Sequence, residues 1–132
     1  MAVSLKLVDE TTSGEVYRET VLELVSANVS VRDLIEQRVR SEVSQYNAEN
    51  VTKLFSGLVQ PRGAERRVNG YALPNKRQID ADEQVSKALD AFERNGFFLL
   101  VDDRQVESLD EMFGVTANTR VTFVKLIPVV GG

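Results

Sequence analysis

The feature that most narrows the fold is a switch of periodicity. Val3, Leu5 and Leu7 alternate with Ser4 and Lys6, the pattern of a strand with one face in a core. Residues 2–8 therefore read as a strand, Asp9-Glu10-Thr11-Thr12-Ser13-Gly14 as a polar turn, and residues 16–25 as a second strand with Leu22 and Leu24 inward. Two such strands around a short polar loop predict a hairpin. After Asn28-Val29-Ser30 the period lengthens. Val31, Leu34, Ile35, Val39 and Val43 recur at helical spacing, with Arg32, Glu36, Arg38, Arg40 and Glu42 mostly on the wet side. Ser30 is suited to cap the helix, and Asp33 places a carboxylate near its N-terminus. The expectation is one amphipathic helix from Val31 to about Tyr46, packed on the apolar face of the hairpin.

Residues 47–96 are harder to phase. Val51, Leu54, Phe55 and Leu58 suggest a short helix ending near Gly57, and Gln60-Pro61-Arg62-Gly63-Ala64-Glu65-Arg66-Arg67 reads as an exposed, locally basic loop. Asn69-Gly70 and Pro74-Asn75 are turn signals. Asp80 and Glu83 then form a capping-box pattern ahead of an apolar stripe of Val85, Ala88, Leu89 and Phe92. Asn95-Gly96 ends this second helix, with the glycine suited to a left-handed cap. The remainder reads as a strand over 97–101, a turn at Asp102-Asp103-Arg104-Gln105, a short helical turn around 108–113, and a last strand over 120–130.

Composition limits the chemistry. A chain of 132 residues reads as one domain, 1–132, large enough for its own core. It contains no cysteine and no histidine, so disulfides, a thiolate nucleophile and the commonest general base and metal ligand are all excluded. A net charge of −4 gives no electrostatic footprint for nucleic acid. No run approaches eighteen apolar residues and no signal pattern opens the chain, so a cytoplasmic protein with no membrane partner is expected.

The predicted order is strand, strand, helix, insertion with helix, strand, short helix, strand. A hairpin, a helix crossing it and a last strand returning parallel to the first, in the middle of the sheet, is the β-grasp arrangement, an α+β fold. Here an inserted helical segment, about 47–96, separates the main helix from the third strand, and a tail, 128–132, follows the last one.

Against that frame the chain resembles ubiquitin and its relatives. Leu99-Leu100-Val101-Asp102-Asp103-Arg104-Gln105-Val106 is similar to ubiquitin's third strand and the bend after it, and Ser108-Leu109-Asp110-Glu111 to its helical turn. Thr119-Arg120-Val121-Thr122-Phe123-Val124-Lys125-Leu126 resembles its last strand, and Gly131-Gly132 its end. The likeness covers about 1–46 and 97–132. With its long insertion and its Leu126-Ile127-Pro128-Val129-Val130-Gly131-Gly132 ending, the chain resembles the bacterial ubiquitin-like proteins encoded beside an activating enzyme, a conjugating enzyme and a JAB-type metalloprotease. The tail is also similar to that of the sulfur carriers of molybdopterin and thiamine synthesis.

The resemblance implies that the protein is a substrate rather than an enzyme. Gly132 would be activated by adenylation, with ATP and Mg²⁺ used by the activating enzyme and no cofactor bound here, then passed through a thioester to amines of target proteins. The alternatives are a C-terminal thiocarboxylate, as in a sulfur carrier, or a β-grasp interaction module with no covalent chemistry. Antiphage defence is a role implied by the family alone. Two glycines let the backbone of Gly131-Gly132 enter a narrow channel. No extension follows Gly132, so no processing protease is expected. Pro128 should end the strand ladder and hold Val129 and Val130 extended, or simply terminate the strand; Pro128, Val129 and Val130 stand where ubiquitin carries arginines.

Val124 and Leu126 fall on the opposite face from Phe123 and Ile127, with Leu99 beside them in one register, and make a candidate partner patch. The competing expectation is that the inserted helix, 81–94, buries them. Phe97, Phe98 and Leu100 read as core. Lys6, Lys53, Lys76, Lys87 and Lys125 are potential acceptors for chain building, although surface lysines chiefly confer solubility. Asp102-Asp103 and Asp110-Glu111 could pair as carboxylates, but turns and caps account for them without a catalytic partner.

Overall fold

Alternation at the N-terminus produces the expected hairpin. In a computed structural model that describes residues 3–49, 55, 57–67, 70–73 and 78–126, β1 (Val3–Thr11) pairs antiparallel with β2 (Val16–Leu24), Leu5 opposite Leu22 and Val3 opposite Leu24. β1 runs further than its alternation predicts. Asp9, Glu10 and Thr11 belong to the strand because β2 pairs as far as Glu10, opposite Val16, and β9 (Arg120–Lys125) supplies a second, parallel ladder from Lys6 to Thr11. The turn tightens to the residues after Thr11, whose N–H donates to the Glu15 carbonyl at 2.9 Å, with Gly14 at φ 89. That angle suits a residue without Cβ.

The chain forms two compact units, one from Met1–Leu34 with Ala91–Gly132, the other from Ile35–Asp90. The first holds a mixed five-stranded sheet in the order β2-β1-β9-β6-β7, where β6 is Phe97–Val101 and β7 is Arg104–Val106. The architecture is α+β, and β9 is central and parallel to β1, as the sequence order requires. Leu5, Leu24, Leu99, Val121 and Phe123 are fully buried, and the Phe97 ring lies 5.8 Å from that of Phe123. Each such large side chain contributes about 1.5–3 kcal/mol by leaving water.

A second, two-stranded ladder joins β3 (Asn28–Ser30) to β8 (Met112–Gly114), with Val29 opposite Phe113. It corrects the helical turn expected over 108–113. A single turn closes where Glu111 N–H donates to the Ser108 carbonyl at 3.2 Å, and Phe113 is already in a strand. The reason is competition for acceptors. The carbonyls of Leu109 and Glu111 take hydrogen bonds, both 3.0 Å, from the N–H groups of Arg32 and Val31. Those are orphan donors in the first turn of α1 (Val31–Glu49). Ser30 adds the expected cap, its Oγ accepting from the Asp33 N–H at 3.0 Å.

α2 (Ala81–Glu93) begins as its sequence predicts, with Asp80 Oδ1 accepting from the Glu83 N–H at 3.2 Å. Its end differs in one residue. Asn95, not Gly96, takes the left-handed conformation, φ 60. Gly96 N–H reaches the Ala91 carbonyl at 2.7 Å and Asn95 N–H that of Phe92 at 3.1 Å. This is the paired 6→1 and 5→2 closure of a Schellman motif, in which asparagine can occupy the left-handed site.

The second unit departs most from expectation. Phe55 forms an antiparallel bridge with Tyr71, their N–H and carbonyl groups exchanging bonds of 2.8 and 2.7 Å, so it is not in a helix; residues 50–54 and 56 lie outside the described residues. The loop expected over 60–67 gives way to β4 (Glu65–Arg67), paired with β5 (Gly70–Ala72), and Pro61 and Ala64 are buried. Side chains substitute for missing ladders elsewhere. Asn47 pairs with both backbone groups of Ile79, at 2.9 and 3.0 Å, and the buried Gln84 donates to the Val59 carbonyl at 3.0 Å. Glu42 takes the Arg38 Nε at 3.2 Å and the Leu58 N–H at 3.1 Å, bridging α1 to the following loop. Asp82 and Glu36 hold the Arg40 guanidinium pKa above its ordinary value by hydrogen bonding to it. As an exposed pair network it adds little stability.

Candidate functional site

The candidate site is built on β9, because this strand leads into the tail. Its start is fixed from two sides. Thr119 Oγ1 accepts from the Thr116 N–H at 2.9 Å, and Arg120 exchanges hydrogen bonds with Asp102: its N–H donates to Asp102 Oδ1 at 2.9 Å, and its carbonyl accepts from the Asp102 N–H at 2.9 Å. Asp102 and Asp103 have φ values of 50 and 75. Positive φ at both central residues of a two-residue hairpin is the twist-matched type I′ geometry. These carboxylates therefore belong to a turn. Asp110 and Glu111 face arginines, with Arg32 at 3.5 Å and Arg104 at 2.6 Å respectively.

The register of β6 against β9 decides the apolar patch. Phe98 lies opposite Val124 and Leu99 opposite Phe123. Successive side chains alternate between faces, so Leu99 shares the core face with Phe123 and Val121 and is 0% exposed. Leu99 is thereby removed from the candidate patch. Its place beside Val124 is taken by Phe98 and Leu100, both half-buried, where the apolar run alone predicts core positions. Leu126, on the same parity as Val124, is 47% exposed. The sequence could not phase this strand because residues 97–101 are all apolar. Only the cross-strand register distinguishes their faces. Leu126 is exposed and Val124 half-buried.

β9 ends with Lys125 opposite Thr11 on one side and Phe97 on the other. Lys125 is half-buried on the core-face parity. The tail residues Pro128, Val129, Val130, Gly131 and Gly132 lie outside the described residues, as does Ile127. Among the lysines, Lys6 is exposed and lies 3.6 Å from Glu19, while Lys87 donates to the Gln60 carbonyl. Lys53 and Lys76 lie outside the described residues.

A shallow cavity of about 240 Å³ adjoins this end of β6, lined by Phe92, Asn95, Phe97, Phe98, Gln105 and Glu107 among others. No helix among the described residues is long and apolar enough to cross a membrane. No family model, curated protein or solved structure matches the chain.

Proposed function

We propose that this protein is a ubiquitin-like β-grasp modifier, activated at Gly132 and joined to amines of target proteins. The observation that carries the reading is the place of β9, central in the sheet, parallel to β1 and antiparallel to β6, and followed within seven residues of Lys125 by Gly131-Gly132. Hairpin, helix and returning central strand follow one another in the β-grasp order. A strand paired on both edges gives a partner a fixed grip on the domain from which to draw the terminus into a channel. The pair Gly131-Gly132 suits that entry because neither residue carries a side chain.

In the proposed chemistry the Gly132 carboxylate attacks the α-phosphorus of ATP and pyrophosphate leaves. Magnesium and cationic groups of the activating enzyme offset the phosphoryl charge. A cysteine thiolate of that enzyme then displaces AMP to give a thioester. An amine of the target finally displaces the thiolate, giving an amide. The present chain contains no cysteine, so every thioester sits on a partner. A conjugating enzyme and a JAB-type protease complete the proposed cycle, and Phe98, Leu100, Val124 and Leu126 are the surface they would share. The apolar Pro128, Val129 and Val130 would be read by the activating enzyme in place of a basic tail.

The reading requires the carboxylate of Gly132 to be the reacting end. Intact mass spectrometry after incubation with ATP and an activating enzyme of the ubiquitin-like type tests it. An enzyme thioester, followed in lysate by lysine adducts linked through Gly132, is the expected result. A gain equal to replacing one oxygen by sulfur would instead identify a sulfur carrier, the reading that the proline-containing apolar tail also favours. With an enzyme shown competent for adenylation, an unchanged mass and no adduct would overturn both covalent readings.

A further inference from the structure

The outer edge of β2 carries an inference independent of the chemistry of the tail. β2 is terminal in its sheet; β1 occupies one edge, and no described strand pairs with the other. Such an edge presents a row of backbone N–H and C=O groups, and proteins commonly blunt it with proline, charged side chains, a bulge or short length. β2 is nine residues long, contains no proline, and has its one irregularity opposite Asp9/Glu10, near its start. It carries Arg18, Glu19 and Glu23, charges that repel like-charged strands and leave the edge open to a basic one. Residues 19–24 are a regular edge. There Val21, 63% exposed, stands between the exposed Glu19 and Glu23 on one face of the sheet.

We infer that this edge docks an extended segment of a partner protein in which two basic side chains flank an aliphatic one at alternate positions. A strand added along β2 would set residues i, i+2 and i+4 opposite Glu19, Val21 and Glu23, where opposite charges and paired apolar groups are favourable. Backbone hydrogen bonds supply the sequence-independent part of such strand addition, and the facing side chains supply selectivity. Lys6 and Ser4 already contact Glu19 and Glu23 from the β1 side, at 3.6 and 2.6 Å, holding both carboxylates in the row. A second copy of the chain fits poorly. Its β2 offers one cation, Arg18, and cannot set a positive charge against both glutamates.

The test uses the full chain, isotopically labelled, titrated by NMR with a capped heptapeptide carrying lysine at positions two and six, valine at four and threonine elsewhere. Amide shifts concentrated at residues 19–24, with binding weakened by rising salt, are expected. A matched peptide with glutamates for the lysines should bind about tenfold more weakly or worse. The double variant Glu19→Lys/Glu23→Lys should reverse that preference. If it fails to fold, Glu19→Gln/Glu23→Gln should abolish the preference. Shifts centred elsewhere, equal affinity for both peptides, or no shift at all would overturn the inference. Sedimentation showing a dimer that the charge reversal dissociates would likewise overturn it, in favour of self-association.

Discussion

Replacing Leu99 by alanine separates a core position from a surface patch on the same sheet. Leu99 is 0% exposed and lies between Phe123 on β9 and Val106 on β7. Leu99→Ala removes three carbons, which at about 0.8 kcal/mol each gives roughly 2.4 kcal/mol of lost transfer energy. The cavity left behind adds to this, and buried Leu→Ala changes span about 2–5 kcal/mol. Between two paired strands the walls cannot collapse freely, so about 3 kcal/mol is the expected loss. With a urea dependence near 2 kcal/mol per molar, the midpoint should fall by about 1.5 M. Leu126→Ala, at a site 47% exposed, should cost no more than about 0.5 kcal/mol. Urea unfolding of both variants, followed by circular dichroism, makes the comparison. Equal midpoint shifts, or a larger one for Leu126→Ala, would refute the register argument.

Other perturbations probe particular backbone and polar features. Asp103→Gly, at φ 75, should stabilise the chain by about 0.5–1 kcal/mol by relieving a left-handed non-glycine residue, seen as a raised urea midpoint. Gly57→Ala would place a Cβ 2.2 Å from the Phe55 ring, and the displaced ring should cost about 1–3 kcal/mol in the same assay. Glu42→Ala removes the carboxylate that holds the buried Arg38 and the Leu58 N–H. A loss of about 1.5–3 kcal/mol is expected, the scale of a hydrogen bond to a charged group; hydrogen exchange at the Leu58 amide should accelerate in parallel.

The legible parts of the sequence are those where neighbours in the chain decide the outcome. The alternation of Val3, Leu5 and Leu7 gives β1, the Ser30 and Asp80 caps mark two helix starts, and Asn95-Gly96 marks a helix end, because each signal acts within a few residues. The return of the last strand beside the first also followed from element order, with β9 parallel to β1. Tertiary pairing decided the rest. Phe55, expected in a helix, and the 65–67 segment, expected in a loop, are instead set by pairing with Tyr71 and with β5. β1 continues through Asp9 and Thr11 because its antiparallel and parallel partners supply hydrogen bonds that the polar sequence could not announce. The all-apolar run 97–101 has strand character by itself but no phase. Its pairing with β9 alone turns Leu99 into the core and Phe98 with Val124 toward the candidate surface. Local sequence sets which conformations are cheap; long-range pairing satisfies the backbone groups and so fixes which face of each strand meets water.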